Sequence, residues 1–187
     1  MNSITTIQII ALITGTIFLL IISRKSLLKY EKHGFYRFFV FEFCFILVLI
    51  NIRFWIRNPF SPLQILSWVL LIISLFLVHR GFNCLKKYGG NKERENESSN
   101  FYFENTNYLV KDGIYKYIRH PMYSSLLFLC LGTFLKNISI YSIPLTAIVI
   151  LFLFLTARAE EKENIRFFGR SYSEYIQGTK MFVPFIF

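Results

Sequence analysis

Gly113–Leu135, GIYKYIRHPMYSSLLFLCLGTFL, begins as an aromatic, basic segment and turns at Pro121 into an unbroken apolar run. Proline pre-sets φ for a first helical turn and lacks the N–H that has no partner there. The switch therefore predicts a helix with Pro121 at its first position. His120, directly before it, is pushed out of the α region. The N–H groups of Met122, Tyr123 and Ser124 are then expected to stand free at the positive end of a helix dipole, an arrangement that favours anions. Chemistry is expected at this polar mouth of an apolar helix.

Outward from this helix, apolar stretches recur at Ile4–Ile22, Phe38–Ile52, Leu63–Val78, Met122–Leu135 and Ile138–Ala157. With 54% hydrophobic residues and 22 Phe among 187 residues, the chain lacks the polar surface of a soluble domain. The first and last stretches approach the ~20 residues that a helix needs to cross a bilayer. The middle three are shorter and imply interfacial completion or local thinning. The reading is an all-α, polytopic integral membrane protein of about five transmembrane helices, ending in a cytoplasmic amphipathic helix. It forms one domain, with peripheral first spans over 1–60 and a catalytic core over 63–187.

A formal charge of +10 raises nucleic acid as a partner, but the placement of the charges excludes it. With the five stretches as spans, eighteen of the 21 Lys and Arg residues fall on one side; only Arg53, Arg57 and Lys136 fall on the other. The positive-inside rule then places the N-terminus outside and the C-terminus in the cytoplasm, with some attraction to anionic membrane lipids. Met1–Ser3 has no positive n-region, so the first span does not read as a signal peptide. Cys44, Cys84 and Cys130 are scattered with no clustered His, so neither a disulfide framework nor a metal site is expected.

Several local features carry expectations. Gly15, between Thr14 and Thr16, allows close helix approach. Glu42 is an interfacial charge or a functional carboxylate, paired with Arg37 or a later basic group. The third span starts at Pro62 and ends at His79-Arg80, where His79 reads as an interfacial hydrogen-bonding group. Gly89-Gly90 breaks the helix, Lys92–Asn100 is a solvated charge run, Phe101–Val110 suits a short extended segment, and Lys111–Gly113 is a turn. A link of only Lys136-Asn137 makes the last two spans an antiparallel hairpin, and Pro144 is expected to bend the second. After Ala157 the helix continues amphipathically through Ile165 and Phe168 and stops at Gly169. Phe182–Phe187 is expected to fold back on the membrane.

The hairpin starts at His120-Pro121 and returns to the same side at Arg158–Glu161, so it brings Tyr115, Arg119, His120 and Tyr123 near Arg158, Glu160 and Glu161. Such a pocket has a cationic end, an anionic end and aromatic walls. It suits a zwitterionic, partly aromatic small molecule. Each residue also has a plainer reading: Arg119 and Arg158 as topological charges, Glu160 and Glu161 as solvated helix charges, His120 as a helix cap, and the tyrosines as interfacial belt residues.

GIYKYIRHPMY, followed by a hairpin and RAEEKENIRFFGRSYSEYIQGTKMFVPF, resembles the isoprenylcysteine carboxyl methyltransferase family of membrane enzymes, whose relatives include phospholipid N-methyltransferases. The resemblance covers roughly residues 105–185 and rests on the pairing RHPxY…EE…FGxxYxxY. It implies transfer of a methyl group from S-adenosylmethionine by in-line displacement to a lipophilic or lipidated acceptor. Carboxyl O-methylation of an isoprenylcysteine-like substrate comes first and phospholipid N-methylation second. Carried over by spacing, the cofactor contacts fall on Asn107, Tyr108, Leu109, Val110, Tyr115, His120, Pro121, Met122, Tyr123, Glu160 and Glu161, with Arg119 and Arg158 as catalytic candidates. Two positions depart from the family pattern: Asn107 stands where His is frequent, and the substrate-linked arginine aligns with Thr156, two residues before Arg158. An NADPH-dependent membrane reductase and a non-catalytic scaffold are the alternatives. The short loop before Gly113 offers few groups for the extra phosphate of NADPH.

Overall fold

Proline and glycine set most of the helix boundaries. The computed structural model describes residues 3–90 and 106–184, and within them six helices follow one another. These are α1 (Ser3–Leu27), α2 (His33–Asn51), α3 (Pro62–Tyr88), α4 (Pro121–Lys136), α5 (Ser142–Phe168) and α6 (Arg170–Gly178). Pro62 and Pro121 both occupy the first helical turn. Four helices are long and apolar enough to cross a membrane, and α4 is a shorter apolar helix. At 16 residues, α4 spans ~24 Å, less than the ~30 Å hydrocarbon core. The chain is a polytopic, all-α membrane protein.

Helix α3 corrects one boundary. It does not stop at His79-Arg80 but runs on to Tyr88. The hydropathy drop at His79 marks a change of surroundings, whereas the backbone keeps its hydrogen bonds until Gly89 caps the helix and Gly90 takes φ +81°. His79 Nε2 lies 3.0 Å from Asn83 Nδ2 on the exposed face, as an interfacial group should. Pro144 does not bend α5: it is the third residue of that helix, where an N–H has no intrahelical partner to lose. The connection between α4 and α5 is Asn137–Tyr141 rather than two residues, organised by Ser142 Oγ donating to Asn137 O at 3.0 Å.

Small residues set the packing. Ser67 Oγ donates to Gly132 O at 2.6 Å and Ser74 Oγ to Ser125 O at 2.7 Å, stitching α3 to α4. A Cβ on Gly132 would come within 2.9 Å of Leu71. Helix α2 lies in the core, not at the periphery: Val40, Cys44 and Leu47 are buried with Tyr123, Cys130, Val149 and Leu153. His33, at its start, is fastened to Glu163 of α5, with N and Nδ1 at 2.8 and 2.9 Å from the carboxylate oxygens. Only α1 is peripheral. It lies on α2, with Gly15 against the Phe45 ring and Thr16 Oγ1 donating to Glu42 Oε1 at 2.6 Å. Glu42 thus meets a hydroxyl at Oε1, where a basic partner was expected, and its Oε2 is buried without a hydrogen bond among the described residues. At the end of the bundle remote from Pro121, Lys136 is buried, its Nζ 3.1 Å from Gln64 Oε1 and 3.6 Å from the Trp68 ring centre.

Residues 106–110 are irregular with no strand. The charge run at Lys92–Asn100, the start of the expected extended segment (101–105) and the last residues of Phe182–Phe187 lie outside the described residues.

Candidate active site

Beside the start of α4 lies a pocket of about 620 Å³ including its open mouth. Each wall comes from a different element. On α5, Glu160, Asn164 and Phe168 face it, four residues apart and therefore one above another on a single helix face. Tyr172 and Tyr175 of α6 form the next wall, and Thr106, Leu109 and Val110 with Leu85 of α3 form the third. Tyr115, Arg119, His120, Met122 and Tyr123 close the base.

Two glycines make this convergence possible. Gly113 takes φ +62°, and a Cβ there would meet Cys84 Sγ at 2.7 Å, so the loop approaches α3 closely. Gly169, at φ +61° and ψ −134°, turns the chain from α5 into α6. That region is all but reserved for glycine.

The polar geometry centres on the RHP segment. His120 has φ −124° and ψ 62°, outside the α region as Pro121 dictates. Its ring is stacked on Tyr123 at 5.4 Å and lies between two carboxylates: Nδ1 is 3.7 Å from Glu160 Oε2, and Nε2 is 3.5 Å from Glu161 Oε1. Arg119 Nε donates to Glu161 Oε1 at 2.7 Å, while its Nη1 donates to the carbonyls of Ile176 and Thr179. Glu160 is the more accessible carboxylate, its side chain 27% exposed against 5% for Glu161. Asn164 Nδ2 donates to Glu160 Oε1 at 3.4 Å. Burial raises the phenols of Tyr115 and Tyr172 well above their ordinary range, and the charge of Glu160 adds to the effect. Burial also raises Tyr175, with Arg119 partly opposing it. All three stay neutral hydroxyls around neutral pH.

Of the expected site residues, Leu109, Val110, Tyr115, Arg119, His120, Met122, Tyr123 and Glu160 line the pocket. Five do not. Asn107 donates its N–H to Gly89 O at 2.7 Å, and Tyr108 is 70% exposed over Gly90. Pro121 packs against Gly81 of α3. Glu161 is buried beneath the pocket as the partner of Arg119 and His120. Arg158 is 60% exposed, tethered to Glu161 at 3.6 Å and lying over the Phe154 ring. The three amides expected to be free at the start of α4 are reduced as well, because Ser124 N donates to His120 O at 2.9 Å.

Sequence reasoning missed Asn164, Tyr172 and Tyr175 as pocket residues. Asn164 carried a signal, since it follows Glu160 by four residues on the same helix. The two tyrosines stood in the FGxxYxxY half of the motif but were not counted among the site residues. No cluster of three His, Cys, Asp or Glu able to hold a metal occurs among the described residues.

A family model described as phospholipid methyltransferase matches residues 63–173, a stretch running from α3 through the pocket to α6. Protein-S-isoprenylcysteine O-methyltransferase B of Arabidopsis thaliana is 30% identical over 139 residues, covering 72% of this chain and 62% of that protein. The Schizosaccharomyces pombe protein-S-isoprenylcysteine O-methyltransferase is 38% identical over 80 residues, 42% of this chain and 34% of that one. A methanethiol S-methyltransferase of Crocosphaera subtropica is 23% identical over 133 residues, 68% of this chain and 47% of that one. The matched stretches therefore span between about a third and two thirds of these relatives. With more than half its length inside the matching model, the chain belongs to the phospholipid methyltransferase family, in the group that includes the isoprenylcysteine carboxyl methyltransferases.

Proposed function

We propose that this protein transfers a methyl group from S-adenosylmethionine to a lipophilic acceptor at the membrane, with the carboxylate of an isoprenylcysteine-like molecule as first choice. The observation that carries the reading is the pocket itself. Among the described residues it holds one accessible carboxylate, Glu160, beside four tyrosine rings, and it opens where α4 leaves the polar face of the bundle. When bound, S-adenosylmethionine supplies an activated methyl group on a sulfonium. The residues present suit such a zwitterion. Glu160 is the acceptor for its ammonium, the start of α4 favours its carboxylate, and the tyrosine faces attract a cation, worth on the order of 1 kcal/mol. Closely packed aromatic walls exclude water and hold the reacting groups in register.

A second acceptor class is favoured by one feature. Arg119, the cation lining the pocket among the described residues, already donates to Glu161, Ile176 and Thr179, which weakens the case for an anionic acceptor there. An amine, as in phospholipid methylation, or a thiol must lose a proton first. His120 is the titratable ring at hand, held between Glu160 and Glu161. For a carboxylate acceptor, Arg158 at the rim is the residue to anchor it. The excess of Lys and Arg on this side supports a cytoplasmic orientation of this face.

The test is transfer of labelled methyl from S-adenosylmethionine by detergent-purified protein to an S-prenylated N-acylcysteine, to phosphatidylethanolamine and to an alkyl thiol. Base-labile label on the prenylcysteine establishes O-methylation; base-stable label on the lipid or thiol selects the second reading. No transfer to any of the three, together with no donor binding, leaves a non-catalytic scaffold.

A further inference from the structure

The guanidinium of the largely buried Arg119 and the hydroxyl of the buried Tyr175 have no part in the roles above, and both point into the same structural joint. Tyr175 Oη donates to Tyr115 O at 2.6 Å. The Arg119 guanidinium donates to the carbonyls of Ile176 and Thr179, at the C-terminal end of α6. Among the described residues, Ile176 O otherwise accepts only the 3.5 Å capping bond from Thr179 N, and a cation there also meets the negative end of the helix dipole.

Beyond α6 the chain runs parallel to the RHP segment. Lys180 N donates to Tyr117 O at 3.1 Å, Arg119 N to Lys180 O at 2.7 Å, and His120 N to Met181 O at 3.2 Å. Ser124 Oγ donates to Phe182 O at 2.7 Å, and Ile118 pairs with Lys180 in a parallel bridge. The backbone carrying the Tyr115 and His120 rings is thus hydrogen-bonded to the C-terminal segment. His120, in a conformation no helix or strand maintains, depends on this external template.

We infer that the segment Tyr175–Phe182 sets the shape of the donor pocket, with Arg119 and Tyr175 as positioning residues that act through His120 and Tyr115. This rests on the reading of the pocket as a donor site. Arg119 is then a structural fork and makes no contact with substrate, and the α6 end of the chain is part of the active site.

Tyr175→Phe removes one hydroxyl and leaves the ring that lines the pocket. It is expected to weaken S-adenosylhomocysteine binding and raise the donor KM by about fivefold, the effect of one buried hydrogen bond, while kcat changes less than twofold. Arg119→Lys keeps the charge but cannot span Glu161 and two carbonyls at once, so a donor KM raised about tenfold or more is expected. Gln177→Ala, on the exposed side of α6, is the control and should match the wild type. A role in stability alone would lower the melting temperature of Tyr175→Phe and leave KM untouched. Wild-type donor KM in both folded variants overturns the inference while leaving the donor site intact. Failure of the wild-type protein to bind S-adenosylhomocysteine overturns both.

Discussion

Glu160 is the residue on which the donor site turns, because among the described residues it is the accessible carboxylate beside the neutral tyrosines. Glu160→Gln keeps the shape and the contact to Asn164 and removes the charge. It should weaken S-adenosylhomocysteine binding by roughly 10- to 100-fold, the range for a hydrogen bond to a charged group; titration calorimetry reads it directly. Asn164→Ala should cost less, since Asn164 lines the pocket with a neutral side chain and meets Glu160 at 3.4 Å. The tyrosines add a pH dependence. Their folded-state values are raised above the unfolded one by burial. Their contribution to stability is therefore complete below pH ~10 and is lost as pH rises through and beyond that value, where unfolded phenols ionise first. Thermal melting should be flat in this respect from pH 7 to 9 and fall steeply above 10. At this scale the sequence was half legible. The hairpin placed Glu160, His120 and Tyr115 together and Glu160 was favoured over Glu161 as the ammonium partner, but the burial of Glu161 that separates the two was not foreseen. That difference is set by which carboxylate the Arg119 fork captures, a tertiary contact 42 residues away in sequence.

Elements meet at glycines and serines, and substitutions there should act through packing. Gly169→Ala meets no steric obstacle, since no atom lies within 4 Å of the added Cβ. Its cost is conformational alone, about 1–3 kcal/mol for a side chain in a glycine-only region. Because Gly169 aims α6 at the pocket, reduced donor binding should accompany the lower melting temperature. Gly132→Leu is a different experiment: it drives α4 away from Leu71 and Ser67 and should cost about 1–3 kcal/mol by overpacking. Helix starts were readable because Pro62 and Pro121 act locally. The end of α3 was not, since loss of hydropathy at His79 and loss of helix at Gly89 are separate events. The placement of α2 escaped for a similar reason. An apolar stretch looks the same facing lipid or facing α5, and the distinguishing pair, His33 with Glu163, joins residues 130 apart.

For the whole molecule, the distribution of positive charge and the pocket point to one orientation. Eighteen of the 21 Lys and Arg residues belong to the side that carries the start of α4 and the end of α5. A C-terminal tag should accordingly be protected from protease in intact cells and an N-terminal one exposed; the reverse would move the active site out of the cytoplasm. Membrane class and the apolar helices were legible in composition and hydropathy, whereas the α6 wall of the pocket was not, because α6 and the C-terminal segment return to the RHP loop by hydrogen bonds to backbone carbonyls that side-chain patterns do not encode. The central claim is that this pocket binds a methyl donor. The most direct measurement is calorimetric titration of the purified protein with S-adenosylhomocysteine, with NADPH as the competing ligand. Micromolar binding of S-adenosylhomocysteine alone is the predicted result. Binding of NADPH in its place, or of neither ligand, would contradict it.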